Sequence, residues 1–223
     1  MIPIPTKIGM KMDNFTRKQN GLAYIADEKC QALMAENRRK LHEFNNADCW
    51  TEEGVRRQTE RLGDILGGMG ENITILPPFH CDYGSNIKVG DNFFANYNLV
   101  ILDVAPVTIG NNVFIAPNVS IYTAGHPVHY KARNSLYEYG IPITIGDNVW
   151  IGGNAVICPG VSIGSGSVIG AGSVVLKDVP ENVIAAGNPC KVIRGITDED
   201  MKYYFKDMEF DSEAMEIVTG NTQ

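Results

Sequence analysis

Residues 143–178 decide the fold, and they write themselves in sixes: ITIGDN, VWIGGN, AVICPG, VSIGSG, SVIGAG, SVVLKD. The third place holds Ile145, Ile151, Ile157, Ile163, Ile169 and Val175, aliphatic in every row. The fourth holds Gly146, Gly152, Cys158, Gly164, Gly170 and Leu176, mostly small. A period of six fits neither an α-helix nor a simple hairpin. It describes a short strand and a corner, repeated so that three sixes close a triangular coil of about 18 residues.

The frame extends backwards. IKVGDN, FFANYN and LVILDV cover 87–104, and VTIGNN, VFIAPN and VSIYTA cover 107–124, with Ala105 and Pro106 inserted between the two blocks. The pattern predicts an all-β solenoid whose third places point inward and stack from coil to coil. Roughly five coils, spaced as neighbouring strands are, give a prism about 24 Å tall. Corners need residues that tolerate φ > 0, and the chain has 23 Gly and 19 Asn among 223 residues.

Composition sets the outer bounds. With 44% hydrophobic and 20% charged residues the chain is too apolar and too sparsely charged to stay disordered. Its length suits one domain or a domain with a small appendage. The net charge of −7 argues against a nucleic-acid partner. That charge is uneven: residues 1–70 carry 11 basic and 10 acidic groups, 71–196 carry 6 and 8, and 197–223 carry 2 and 8. The acidic excess therefore reads as a solvated tail, and an anionic ligand in the middle is not excluded. Residues 148–176 lack Asp, Glu, Lys and Arg, but recurring Gly, Asn and Ser deny them a continuous apolar run, so no membrane span is expected.

Five cysteines, Cys30, Cys49, Cys81, Cys158 and Cys190, form no C-x-x-C pair. The start, MIPIPTKIGMKMDNF, shows no apolar signal core. Together these predict free thiols in a cytoplasmic protein.

Both ends of a solenoid need cover. Residues 1–70 read as a helical cap. Asp27 precedes EKCQALMAENRRKLHEF, where Cys30, Leu33, Met34, Leu41 and Phe44 follow a helical period, and ENRRK reads as a solvated face. A second helix starts with Thr51 as N-cap, runs through Val55, Leu62, Ile65 and Leu66, and stops at Gly67–Gly68. The repeats occupy 71–196. In the acidic tail, 197–223, Thr197 and Asp200 suggest a capped start, with MKYYFKDMEF as a short helix. One segment breaks the rhythm: GHPVHYKARNSLYEYGIP, residues 125–142, is an excursion carrying His126, His129, Arg133 and Glu138. Long loops thrown from a regular scaffold commonly carry function.

With its sixes, G-H-P-V-H, ARNS–EYG, NVWIGG and the closing AAGNPCKVIR, the sequence resembles the hexapeptide-repeat acetyltransferases. Within them it is similar to the maltose and galactoside O-acetyltransferase group, with the nodulation-factor acetyltransferases nearby. The resemblance covers nearly the whole chain, weakest before residue 20 and after 196. It implies a left-handed parallel β-helix, a homotrimer with active sites between subunits, and acetyl transfer from acetyl-CoA to a sugar hydroxyl, with no metal, nucleic acid or membrane involved.

The chemistry suits the residues. A sugar hydroxyl needs its proton removed as it attacks a thioester, and a histidine titrates near ambient pH. His126 matches the family's catalytic base; a loop histidine without this context is ordinarily a surface residue. His129 reads as secondary or structural. Asn96 matches a site amide that contacts acceptor or oxyanion, although it is equally a corner Asn. The resemblance puts Asp27, Asp82 and Asp103 on the acceptor; Glu138, in the same loop as His126, reads as orienting that histidine, as meeting the acceptor, or as a solvated carboxylate. Galactoside enzymes carry Ser and Met at the Asp82 and Glu138 positions, so the acids lean toward a maltose-type or broad sugar acceptor. For CoA the resemblance implies Gly153, Ala171 and Gly172; Trp150 reads equally as a cleft wall or a packed trimer-interface aromatic, Leu176 joins the cofactor edge, and Lys177, Lys191 and Arg194, three of the six basic groups in 71–196, suit its phosphates. Most of these small residues are also what a corner would use.

Two other readings compete. One is a metalloenzyme like the gamma-class carbonic anhydrases, with His80, His126 and His129 as zinc ligands in a poorly fitting order. The other is a non-catalytic, sugar-binding solenoid.

Overall fold

The computed structural model describes residues 12–220 apart from Cys49; the readings placed on that cysteine and on the first eleven residues lie outside the described residues. Three parallel sheets form the faces of a prism. The first face stacks Gly68–Met69, Ile87–Val89, Val107–Ile109, Ile143–Ile145 and Ser162–Ile163. The second stacks Thr74–Ile75, Phe94–Ala95, Phe114–Ile115, Trp150–Ile151, Val168–Ile169 and Val183–Ala186, and ends in antiparallel Lys191–Gly195. The third stacks Phe79–Cys81, Leu99–Leu102, Ser120–Tyr122, Val156–Ile157 and Val174–Val175. Five coils are complete, as expected, and Val183–Ala186 begins a sixth.

Register confirms the repeat and shows where it changes. Ile145 pairs with Ile163, Ile151 with Ile169 and Ile157 with Val175, each one eighteen-residue coil apart. Val89 pairs with Ile109 and Ala95 with Ile115, twenty apart, because Ala105 and Pro106 lengthen that coil. Ile109 pairs with Ile145, thirty-six apart, because the excursion at 125–142 adds residues without adding a coil. The last coil is shorter: Ile169 pairs with Ala185.

The third places are core, with Ile151, Ile157 and Ile169 at 0% exposure. The first places, such as Ile87, Val113 and Val149, are equally buried, so each strand anchors twice. Corners hold by ladders. Asn72, Asn92, Asn112 and Asn148 all have φ between 54° and 58°. Their amides run down one edge, Asn72 to Asn92 at 2.9 Å, Asn92 to Asn112 at 2.9 Å and Asn112 to Asn148 at 3.1 Å. Asn tolerates this backbone better than other side-chain-bearing residues, and its amide satisfies its neighbour.

Helices α1 (Asn14–Gln19), α2 (Glu28–Asn45) and α3 (Glu52–Ile65) precede the coils. Leu41 and Phe44 of α2 and Leu62 and Ile65 of α3 join the prism's own cluster, closing its first coil. Thr51 caps α3 as expected, its side chain accepting from Gly54 N–H. Four expectations need correcting. The end of α3 is set by Leu66 in extended backbone, not by a left-handed glycine; a Cβ on Gly67 would run into the Ser85 carbonyl. Leu33 and Val55 are exposed. Asn37, inside the supposedly solvated ENRRK, is 4% exposed. In the tail, Asp200 accepts from Thr197 N–H at 2.9 Å as the capped start required, but Tyr203–Phe205 and Met208–Glu209 form a hairpin where a helix was expected. A helix the sequence did not announce follows it at Ser212–Thr219. Cys30, Cys81, Cys158 and Cys190 are free thiols. No helix among the described residues is long and apolar enough to cross a membrane.

Candidate active site

The excursion is a hairpin built on the third face. Ala124–Gly125 pairs antiparallel with Tyr139–Gly140, and a short helix, α4 (Tyr130–Arg133), fills its tip. His129 caps that helix, accepting from Lys131 N–H at 3.2 Å, and stacks on Tyr130 with ring centroids 5.0 Å apart. Arg133 closes the turn by donating to the Pro127 and Val128 carbonyls at 3.2 and 2.9 Å. His126 therefore leaves the strand beside a braced loop. Its Nδ1 lies 3.5 Å from the Tyr137 carbonyl, and its ring is exposed.

His126 lines a cavity of about 420 Å³ with Ile25, Ala26, Arg133, Leu136 and Glu138. The N-terminal segment thus supplies one wall and the hairpin the other. Asp27, beside that wall, accepts from Cys30 N–H at 3.1 Å as the N-cap of α2.

Asp82 lies at the edge where the third face turns into the first. It lines a second cavity of about 780 Å³ with Arg38, His42, Asn46, His80 and Leu102. Burial, then the charges of Asp103 and Glu138, push its carboxyl up to about 6. Asp103 is fully buried, and its Oδ1 accepts from the amides of Asp82 and Tyr83 at 2.9 Å each. Its Oδ2 is buried with no partner among the described residues, and burial raises its pKa. So placed, Asp103 holds the backbone of Asp82 and Tyr83. Asn37 braces the same segment from α2, donating to the Cys81 and Asp82 carbonyls at 3.3 and 3.2 Å. Sequence reading missed Asn37, yet the signal was present: 30, 34, 37, 41 and 44 alternate steps of four and three along one helix face. Arg133 and Arg38 were missed as well, and no local pattern distinguishes them from solvated charges.

The remaining site residues fall on a different edge. Asn96 follows the second-face strand Phe94–Ala95, and its Oδ1 accepts from Tyr97 N–H at 2.8 Å. Gly153 and Ala171 follow the second-face strands Trp150–Ile151 and Val168–Ile169 and stack on that edge. A Cβ at Gly172 would meet nothing within 4 Å, so backbone there is open to approach, whereas one at Gly153 would crowd the Pro117 carbonyl at 3.1 Å. Trp150 stands on the outer second face in register with Phe114, itself 6.2 Å from Phe94, and Trp150 and Phe114 are half exposed. Leu176 and Lys177 follow the third face; both are exposed, as is Lys191. Arg194 is exposed but engaged: its guanidinium meets Asp200 at 2.6 and 2.9 Å. Within one chain, then, Asp82 and His126 occupy one edge of the third face, and Asn96, Gly153 and Ala171 the other. The histidines of a zinc reading also part company: His80 lines the α2 cavity, His129 caps α4 and His126 faces the hairpin cavity.

The bacterial transferase hexapeptide (six repeats) family matches residues 142–177. Fold and repeat thus define a hexapeptide-repeat transferase. Galactoside O-acetyltransferase of Escherichia coli is 51% identical over 172 residues, 77% of this chain and 83% of the relative. A solved galactoside acetyltransferase in complex with coenzyme A superposes with a TM-score of 0.86 at 45% identity, over 91% of this chain and all of that one. A maltose O-acetyltransferase from Clostridium difficile superposes at 0.77 with 44% identity, over 84% and 99%. The chain belongs to the hexapeptide-repeat acetyltransferases, in the group of the galactoside and maltose O-acetyltransferases. It is an acyltransferase, and its fold is the left-handed parallel β-helix of that family.

Proposed function

We propose that this protein transfers the acetyl group of acetyl-CoA to a hydroxyl of a sugar, with His126 as general base. The observation that carries the reading is the shared cavity of His126, Glu138 and the Ile25–Ala26 wall, in a chain of this family. The acceptor oxygen attacks the thioester carbon as His126 takes its proton. The tetrahedral intermediate places negative charge on the former carbonyl oxygen, where the Asn96 amide would donate. Collapse breaks the carbon–sulfur bond, and the thiolate leaves with the proton His126 holds. Asp27, Asp82 and Glu138 offer carboxylate oxygens to the remaining hydroxyls, which fits a maltose-type or broad neutral sugar. The open backbone at Gly172, with Gly153 and Ala171 on the same edge, suits a pantetheine arm, with Leu176 beside it and Lys177, Lys191 and Arg194 toward the phosphates.

The separation of Asn96 from His126 across the third face supports a homotrimer in which the Asn96 edge of one subunit faces the His126 edge of the next. The half-exposed Phe114 and Trp150 on the second face supply apolar contact area for such packing.

The test is release of free thiol from acetyl-CoA across a panel of mono- and disaccharides. Acceptor-dependent release supports the reading; no release with any carbohydrate sinks it and favours a binding solenoid.

A further inference from the structure

Among the described residues ten other than glycine hold left-handed backbone, and eight of them are asparagines. The two exceptions are Lys206, in the tail, and Leu136, φ 66°, in the hairpin that bears His126. Leu136 stands just past α4, where its N–H donates to the Arg133 carbonyl at 3.0 Å. Glycine or asparagine ordinarily fills such a place after a helix, because a larger side chain crowds the following carbonyl. This leucine gains nothing from the core in return: it is 70% exposed and belongs to neither buried cluster. Strain of this kind persists where the surroundings enforce it, and it gathers at ligand clamps. The loop does enforce it. Asn134 N–H donates to the Tyr130 carbonyl at 2.7 Å, the Ser135 hydroxyl to the Ala132 carbonyl at 2.6 Å, and Arg133 ties the turn to Pro127 and Val128.

The place so enforced is the wall of the His126 cavity, whose lining is chemically divided. His126 and Glu138 are polar and can meet hydroxyls, while Arg133 is engaged with carbonyls of its own loop. Ile25, Ala26 and Leu136 are aliphatic. The main chain behind Ile25 and Ala26 is engaged as well: Ile25 N–H donates to Asn14 Oδ1 at 3.1 Å, and the Ala26 carbonyl accepts from Gln31 Nε2 at 3.0 Å. A second sugar laid on these three side chains would bury hydroxyls against carbon, whereas an alkyl or aryl group there would bury apolar surface on both sides. We propose that Leu136 is a specificity-determining residue of the acceptor site: held in left-handed backbone beside His126, it selects sugars that carry an apolar alkyl or aryl substituent over sugars extended by a second ring. The inference rests on the sugar-acetyltransferase reading for its reaction, but the choice between substituents is a property of the cavity and shows in binding too.

The experiment compares full-length wild type with L136G, L136N and L136M on phenyl glucoside and maltose, which share a ring and differ in what it carries. The ratio of kcat/KM for phenyl glucoside to that for maltose exceeds one in wild type, falls about tenfold in L136G and L136N, and is kept by L136M. L136N also relieves the backbone and melts at or above the wild-type temperature. A ratio unchanged in L136G and L136N, or below one in wild type, overturns the proposal. So does a lower melting temperature or an altered sedimentation coefficient in L136N, either of which would make Leu136 a packing or subunit contact. If wild type acetylates neither sugar, the acetyl-transfer reading fails, and ligand-observed NMR then decides the role of Leu136. Phenyl glucoside binds more tightly than maltose in wild type and loses that lead in L136G; an equal ranking in the two proteins, or no binding of either sugar, overturns it.

Discussion

The main chains of Tyr24 and Glu138 hold each other by two hydrogen bonds, 3.0 Å from Tyr24 N–H to the Glu138 carbonyl and 2.9 Å in return. This single antiparallel bridge straps the hairpin that bears His126 to the segment between α1 and α2. Tyr24 is fully buried, packed with Cys30, Tyr83 and Val104 in a cluster separate from the prism core. Its hydroxyl is buried with no hydrogen-bond partner among the described residues. Truncation to Y24A removes a buried aromatic ring and is expected to destabilise by about 3–5 kcal/mol. Y24F discards only the unpartnered hydroxyl and leaves stability equal or higher. Urea unfolding separates the two, and a clear loss of stability in Y24F would show that the hydroxyl is satisfied after all.

His126 stands on a braced loop, and its removal reaches no core contact. H126A is expected to lower acetyl transfer by roughly two to four orders of magnitude, with thermal stability and CoA affinity unchanged. Steady-state kinetics beside calorimetric CoA titration checks this. An H126A protein that keeps full activity excludes the histidine as base and turns attention to Glu138 in the same cavity.

How much of this was legible in the sequence varies with the kind of interaction. The prism was, because a coil repeats one local decision: an aliphatic residue inward, a small residue at the corner, six residues on. The excursion that carries His126 and Glu138 into one cavity was legible because an insertion is conspicuous against a strict period. The contacts of Asn37 and Asp103 could not be read from spacing by itself. They make hydrogen bonds to Cys81, Asp82 and Tyr83, more than forty residues away for Asn37 and some twenty for Asp103, and set by how α2 and the coils pack. The tail hairpin was misjudged for a related reason: Thr197 and Asp200 do cap a short turn, but that local signal says nothing of the pairing of Tyr203 with Glu209.

The asparagine ladder can be dissected at Asn112. Its φ is 54°, and its amide bridges Asn92 and Asn148. N112A forces a Cβ-bearing, amide-free residue into left-handed backbone and is expected to destabilise by about 2 kcal/mol. N112G keeps the backbone unstrained and loses only the exposed hydrogen bonds, about 1 kcal/mol. Chemical denaturation that ranks N112G below N112A would show that strain is not what the asparagine relieves.

Asp82 gives a pH signature of definite sign. Its carboxyl lies near 6 in the native protein against an ordinary 3.8, chiefly through burial. Between those values the folded state binds more protons than the unfolded one, so stability falls as pH rises through the window and stays lower above it. D82N removes this penalty. It is expected to melt about 2–4 °C above wild type at pH 7.5, with a smaller gain at pH 5, while acceptor KM rises. Equal melting of the two proteins at both pH values would refute a strained carboxylate.

Arg194 and Asp200 decide how the last coil meets an anion. The guanidinium gives two hydrogen bonds to the Asp200 carboxylate and a third, 2.8 Å, to the Gly195 carbonyl. That pairing holds Asp200 down to about 2, so the carboxylate is ionised throughout the neutral range and the fork is partly spent. Three of five guanidinium N–H groups are used, leaving two for a phosphate oxygen. Lys191, at the start of the same strand, has no such tie to the tail among the described residues. R194A is therefore expected to raise the KM for acetyl-CoA by roughly threefold, and K191A by more, with kcat little changed. D200N frees the fork and is expected to lower that KM. Initial-rate kinetics at fixed ionic strength reads all three. Unchanged KM in both R194A and K191A refutes the phosphate role, and a raised KM in D200N would mean that Asp200 serves to aim Arg194 rather than to occupy it.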